Sequence, residues 1–361
     1  MVKKGEFFGS LVSLIIFILA TIMGLIGFET QTTQTQENIT IQEIELNKIE
    51  NVNQDILLQF CPKENCHKTY YDTIKNAKFE IKCALHEFDD TNLSTLLAEK
   101  ANEKIKTEII IDGRYINEEG LKPILNSKVK LTTDGKRSKL MHNKFCIIDN
   151  EILITGSTNP TENGFYKNNN NQLKINSKLL AKNYENEFDQ MNSDKFQKQK
   201  KSVLKYNNIT LNYQNEQYKI STYFCPEDNC AEETLKIIQT AKKEILFANF
   251  VLTLDNLEDL LIEKSQNNVN VQGIIENRMK NIRGSKIQEL NQSFPITIDK
   301  NKNTMHHKFF VIDEKYVITG SMNPSAGGTN GNDENLIIIE NPKIAKQFKE
   351  EFNRLNTMWT N

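Results

Sequence analysis

The sequence has no excess of either charge: 45 Lys and Arg stand against 47 Asp and Glu, a formal net charge of −2. A polybasic nucleic-acid coat is thereby excluded. Cysteine is sparse, six in 361 residues, too few for a miniprotein built on disulfides but enough for one or two bridges. Apolar character is modest, with a mean hydropathy of −0.54, which excludes a polytopic membrane protein. The 38% of hydrophobic residues nevertheless excludes disorder along most of the chain. No carboxylate cluster has the spacing of a metal site. The length suits two domains of ordinary size.

One long apolar run is there. Residues Phe7 to Phe28 carry no charge and follow Lys3 and Lys4. A helix of that length spans about 30 Å of hydrocarbon, so residues 7–28 are expected to be a transmembrane anchor. The positive-inside rule then makes residues 1–6 a cytoplasmic tip and turns the body outward, to a cell-surface location. A cleaved signal peptide and a secreted body is the other reading, although no clear small-x-small cleavage site follows. Residues 29–55, rich in Gln, Thr, Asn and Glu, read as a flexible stalk.

The most informative feature is an internal repeat. Phe60-Cys61-Pro62 with Cys66 returns as Phe224-Cys225-Pro226 with Cys230, and His142-Asn143-Lys144 returns as His306-His307-Lys308. Ile154-Thr155-Gly156-Ser157 with Asn159-Pro160 returns as Ile318-Thr319-Gly320-Ser321 with Asn323-Pro324, and Glu187-Phe188 returns as Glu351-Phe352. Every pair is 164 residues apart. The body is therefore two copies of one domain, 56–190 and 220–358, joined by a linker over 191–219. Within a copy, β-rich runs at Phe79–Leu85 and Thr107–Ile111 flank a helical pattern from Leu93 to Lys104, which implies βαβ crossovers. Residues 144–149 and 152–155 read as a hairpin, and helices over 177–191 and 342–355 close the copies, the second capped by Asn341 ahead of Pro342. The fold class is α/β, with a mixed sheet flanked by helices in each copy.

Copy one reads His142-x-Lys144-x4-Asp149-x6-Gly156-Ser157-x-Asn159, and copy two reads His306-x-Lys308-x4-Asp313-x6-Gly320-Ser321-x-Asn323. Residues i and i+2 of a strand share a face, so each His and Lys project side by side. Ser157, Asn159, Ser321 and Asn323 follow the next strand, where their donors can reach the same pocket. Lys, Ser and Asn suit the oxygens of a phosphate, leaving each His free to act on phosphorus or on a leaving oxygen. A repeated fold alone would preserve apolar positions; here the polar ones recur.

These paired motifs resemble the phospholipase D superfamily, and the resemblance covers the body from about residue 56. It implies two repeats packed about a pseudo-two-fold axis, with both motifs at one active site. One His would form a covalent phosphohistidine, the other would protonate the leaving alcohol, and water or another alcohol would resolve the intermediate without a metal or other cofactor. It also implies a downstream acid accepting from a His ring. Copy two supplies Glu334, expected on His306; copy one has only Asn170 or Asn171 there. On that asymmetry His142 is expected as nucleophile and His306 as general acid. Asp149 and Asp313, at strand ends, are expected either in the chemistry or in organising structure.

Other residues have plainer readings. Arg114 and Arg278 end matching strands, where each could meet an anion or be solvated. Lys136, Arg137 and Lys139 could line the mouth of the site or form an exposed loop. Each C-x4-C pair, Cys61/Cys66 and Cys225/Cys230, reads as a local disulfide outside the cell, as part of a zinc site if the loops meet, or as free thiols in the cytosol. Cys83 and Cys146 are expected as buried thiols, and His67 and His86, unmatched in copy two, as structural or surface residues. The expected activity is a membrane-anchored phosphodiesterase acting on phospholipid head groups; a nuclease of the same fold or a phosphatidyltransferase is the alternative. No obligate protein partner is evident.

Overall fold

Branched, apolar runs bounded by turns give each copy its sheet. In the first copy the strands are β2 (Leu57–Cys61), β3 (Glu80–Leu85), β4 (Lys106–Ile111), β5 (Lys130–Thr133), β6 (Lys144–Ile148), β7 (Ile152–Gly156) and β8 (Asn170–Asn176), in the order β2-β8-β7-β6-β3-β4-β5. β3, β4 and β5 are parallel and the other pairs antiparallel. The parallel pair β3–β4 is joined through a helix over Thr91–Asn102, the expected crossover. β6 and β7 form the expected hairpin, with Asp149 and Asn150 both at φ 55° in its turn.

The second copy repeats this order with β10 (Glu216–Cys225), β11 (Glu244–Asn249), β12 (Asn270–Ile275), β13 (Ile296–Ile298), β14 (Lys308–Ile312), β15 (Tyr316–Gly320) and β16 (Glu334–Glu340). Two further strands, β1 (Asn47–Asn51) and β9 (Asn208–Tyr213), extend its edge to nine strands. The computed structural model describes residues 47–135 and 137–360, and Ile49 onward forms one unit. The expected anchor over 7–28, the tip before it, most of the stalk and Lys136 lie outside the described residues. Among the described residues no helix is long and apolar enough to cross a membrane. The end of the expected stalk is not flexible chain. Glu50 accepts from Ser177 Oγ at 2.5 Å and Lys178 N at 2.9 Å, while Asp55 accepts from the Tyr218 hydroxyl and the Lys343 ammonium. Edge position explains the disguise, since an edge strand keeps one flank in water and needs no apolar pattern.

The copies share one core. The closing helices Lys178–Asn192 and Pro342–Thr360 lie with the inner faces of both sheets, where Phe145, Tyr184, Phe188, Phe309, Phe348 and Phe352 pack together. Ser177 caps the first helix by accepting from Leu180 N, and Asn341 caps the second by accepting from Ile344 N. Each outer sheet face has its own core under the remaining helices. In the first of these Cys83 and Cys146, expected as thiols, sit opposite each other on β3 and β6 and form a disulfide with Cα atoms 4.1 Å apart. The second copy has Phe247 and Phe310 there, ring centroids 5.6 Å apart. Both C-x4-C pairs are closed as local disulfides.

Candidate active site

The copies meet through reciprocal backbone hydrogen bonds. His142 N donates to Asp333 O and Asp333 N to Leu140 O, both at 2.9 Å; 164 residues along, the same bonds run from Asn169 N to Thr304 O and from His306 N to Asn169 O. Such self-complementarity is the signature of a two-fold. It brings the two motifs together.

Gly156 and Gly320 set the turn that follows. Their φ values of 138° and 134° suit glycine, and a Cβ would stand 2.4 Å from Asn171 O or 2.3 Å from Asn335 O. This close approach lets Ser157 Oγ accept from Asn171 N and Ser321 Oγ from Asn335 N. Each serine then donates its own proton to the residue that orients a histidine: Ser157 to Asn170 Oδ1 at 3.0 Å, Ser321 to Glu334 Oε2 at 2.7 Å. The serines are thus engaged and not free to meet a phosphate as expected. Asn159 donates to Glu87 Oε2 at 3.1 Å. The Asn323 side-chain oxygen is buried without a hydrogen bond among the described residues.

The orienting residues cross the two-fold. Glu334 Oε2 lies 2.7 Å from His142 Nδ1, not on His306, which corrects the expectation from sequence. His306 Nδ1 instead faces Asn170 Oδ1 at 2.9 Å and the Ser157 carbonyl at 3.2 Å. Glu334 and Asn170 begin β16 and β8 at the 164-residue offset, so no gap intervenes and Asn170 is the copy-one counterpart. A motif comparison within one copy has no access to this crossing, because it is made between copies.

Lys144 Nζ donates to the carbonyl of His142 at 2.9 Å, and Lys308 Nζ to that of His306 at 3.0 Å, which leaves each ammonium two further protons. Burial pushes His142, His306 and Lys308 well below their usual values, and the neighbouring lysines and imidazoles add to it. Burial also lowers Lys144 to about 8 and raises Glu334 to about 8. The site thus disfavours its own positive charge, and an anion between the lysines would offset it.

Asp149 and Asp313 stand outside this group. Asp149 accepts from the backbone N–H groups of Lys78, Phe79 and Glu80, and Asp313 from those of Lys242, Lys243 and Glu244. Each ties the hairpin turn to the start of the neighbouring strand and touches no catalytic group. Arg114 pairs with Asp112 at 2.7 Å, and Asp112 accepts from Met141 N; Arg278 pairs with Glu276 at 2.7 Å, and Glu276 accepts from Met305 N. The arginines thus brace the backbone before each histidine. Arg137 pairs with Asp194 at 2.8 Å. His67 lies against Asp90 at 3.2 Å and stays structural. His86 belongs to the site: it is buried, its ring centroid 4.5 Å from that of His142 and 4.9 Å from that of Tyr115. Phe250 takes its place against His306 at 5.1 Å. The repeat concealed His86, because its counterpart is not polar.

Residues 70–192 and 234–356 each match the family described as cardiolipin synthase, PLD-like domain. The chain belongs to this phospholipase-D-like family. It is 29% identical over 126 residues to a mitochondrial cardiolipin hydrolase of Chlamydomonas reinhardtii, covering 35% of this chain and 56% of that protein. It is 30% identical over 135 residues to a phospholipase D of Rickettsia bellii (strain RML369-C), covering 37% of this chain and 67% of that one. The match thus spans little more than half of the algal relative. A phosphatidylserine synthase from Haemophilus influenzae Rd KW20 shares the fold, with a TM-score of 0.61 at 13% identity over 83% of this chain and 86% of that one.

Proposed function

We propose that the chain is a phospholipid phosphodiesterase of the phospholipase D type, working through a phosphohistidine on His142. The observation that carries this reading is the crossed pairing, His142 with Glu334 and His306 with Asn170, around two buried lysines. Glu334 accepts a hydrogen bond from Nδ1–H of His142 and leaves the Nε2 lone pair free. When Nε2 bonds to phosphorus the ring becomes cationic, and the carboxylate stabilises that charge. Asn170 fixes the His306 ring without holding its proton as a carboxylate would, so His306 is the stronger acid and protonates the leaving oxygen. The nucleophile is thus the histidine expected from sequence, for the opposite reason: the carboxylate sits on the attacking ring. Lys144 and Lys308 neutralise the phosphoryl oxygens. His306 then takes a proton from water, whose oxygen attacks phosphorus and releases His142.

Lipid is favoured as substrate because relatives are named phospholipase D and cardiolipin hydrolase. The three disulfides support a body in an oxidising compartment, on the outer side of the membrane if residues 7–28 anchor it. The purified chain is to be assayed in EDTA against phosphatidylcholine vesicles, cardiolipin vesicles and plasmid DNA. Lipid hydrolysis is expected, abolished by His142→Ala and by His306→Ala without change in the melting curve. Phosphate trapped on the peptide containing His306 would reverse the roles, and cleavage of DNA alone would make the chain a nuclease.

A further inference from the structure

Two clefts flank the site at positions related by the two-fold, and their charges are opposite. In one, the linker runs through and leaves a cavity of about 520 Å³ lined by Lys198, Lys200, Pro226, Glu227 and Asn330. Lys200 is fully buried there and pairs with Glu187, with Glu227 at 3.0 Å and with Asp333 at 3.1 Å. Gln197 N adds a hydrogen bond to Asp333 Oδ1 at 2.6 Å, and Arg137 lies 5.2 Å from the Phe196 ring. In the other cleft, Lys63 stands where Glu227 does and Asn169 where Asp333 does, each at the 164-residue offset. Lys63, Lys167, Lys300, Lys302 and Arg354 line this cleft of about 470 Å³, and no carboxylate does. Lys300 and Lys302 are exposed and make no ion pair with any described residue. One cleft is built acidic and receives an ammonium group. Its counterpart is built basic and receives no linker residue.

The basic cleft adjoins the chemistry. Asn169, whose carbonyl holds His306 N, forms part of its wall, and Asn301 Nδ2 donates to the Asn169 side chain at 2.6 Å. Met358, half exposed, and Trp359 add apolar surface to the cleft. On the first-copy side, by contrast, Glu87 carries a side chain 36% exposed beside His86, and burial, with the charges of Asp90, Glu118 and Glu87 added, raises Asp89 above the usual carboxylate value. A long polyanion lying across both sides would meet these carboxylates; a compact lipid head group need not.

We propose that the basic cleft is a second anion subsite, which takes a phosphate other than the one attacked, so that the preferred substrate is a lipid bearing two phosphodiesters. The inference rests on the lipid-hydrolase reading for turnover, but not for binding. Lysines are the natural partners of a phosphate, and a second bound phosphate orients the first at His142.

The test compares the full-length chain with its Lys300→Gln/Lys302→Gln variant. Substrates are diphosphatidylglycerol in phosphatidylcholine vesicles, and phosphatidylglycerol at twice the mole fraction, so that surface charge is matched. The wild type should favour the diphosphate lipid in kcat/KM by about tenfold. The variant should lose that preference while its rate on phosphatidylglycerol and on bis(p-nitrophenyl) phosphate stays within twofold. Equal loss on both lipids, or no loss, would overturn the subsite, and a larger loss on a single-stranded oligonucleotide would assign the cleft to a nucleic-acid backbone instead. Binding separates the two readings. A His142→Ala chain should sediment with diphosphatidylglycerol vesicles more strongly than the same chain carrying the lysine substitutions, even if no lipid is hydrolysed. Equal sedimentation would overturn the subsite.

Discussion

At Nδ1 of each imidazole the partner comes from the opposite repeat, a carboxylate for His142 and an amide for His306. Glu334→Gln keeps the shape and removes the charge, so it should lower kcat by on the order of 10²-fold or more, with the melting temperature unchanged or raised because a buried carboxylate is lost. Asn170→Asp should instead slow departure of the leaving group by holding the His306 proton more tightly. Both are read by single-turnover kinetics with a good and a poor leaving group; only the second variant should show a steeper dependence on the leaving group. The pH profile follows from the same site. Burial first, then Lys308 and Lys144, hold His306 well below 6.5 in the free chain. Its acid form is therefore lost at low pH in the free chain and at higher pH once a phosphate is bound. The basic limb of kcat/KM should thus fall below pH 6.5, and that of kcat should lie to its alkaline side. Coincident limbs would show that bound phosphate does not restore the cation.

At the scale of the element, the H-x-K-x4-D motif divides into two jobs. Lys144 and Lys308 begin β6 and β14 two residues after each His, while Asp149 and Asp313 follow the last residue of the same strands and hold three backbone N–H groups at the start of the neighbouring strand. Asp149→Ala or Asp313→Ala leaves those donors without a partner and should cost about 1–3 kcal/mol of stability. Urea unfolding should show that loss, while kcat at a temperature where the variant is folded stays within a few-fold of wild type. A kcat lower by 10²-fold would return the aspartates to the chemistry. Sequence carried the β3–helix–β4 crossover, the hairpin and both closing helices, because their alternation, caps and turns are local. It also carried both His-Lys pairs, because polar identity recurred at one offset. Three features depend on contacts across the sheet or between copies. The Cys83–Cys146 bridge joins residues 63 apart that only strand register makes neighbours. His86 is matched by Phe250, and Glu334 crosses to the other copy.

For the whole molecule, the linker does more than span a gap. Lys200 sits between Glu187 of the first copy and Glu227 and Asp333 of the second, so one buried ammonium faces three carboxylates. Burial opposes the Lys200 charge, but the carboxylates outweigh it and raise its pKa. One ammonium does not satisfy three anions. Burial, then Glu187, pushes Glu227 up to about 9, and burial lifts Asp333 to about 6. The folded chain therefore keeps a proton on Glu227 that the unfolded chain sheds near pH 4.5. Stability from this group is complete below that pH and is lost as pH rises through the folded value, by roughly 1 kcal/mol per pH unit where the two states differ by most of a proton. Glu227→Gln reproduces the protonated side chain permanently. It should leave stability near pH 5 almost unchanged, raise it near pH 9, and flatten the slope between. Urea midpoints measured from pH 5 to 9 for both chains decide the point. If the slope is unchanged in the variant, the cluster does not hold its proton on Glu227, and the two repeats are clamped by Lys200 with a different carboxyl neutral.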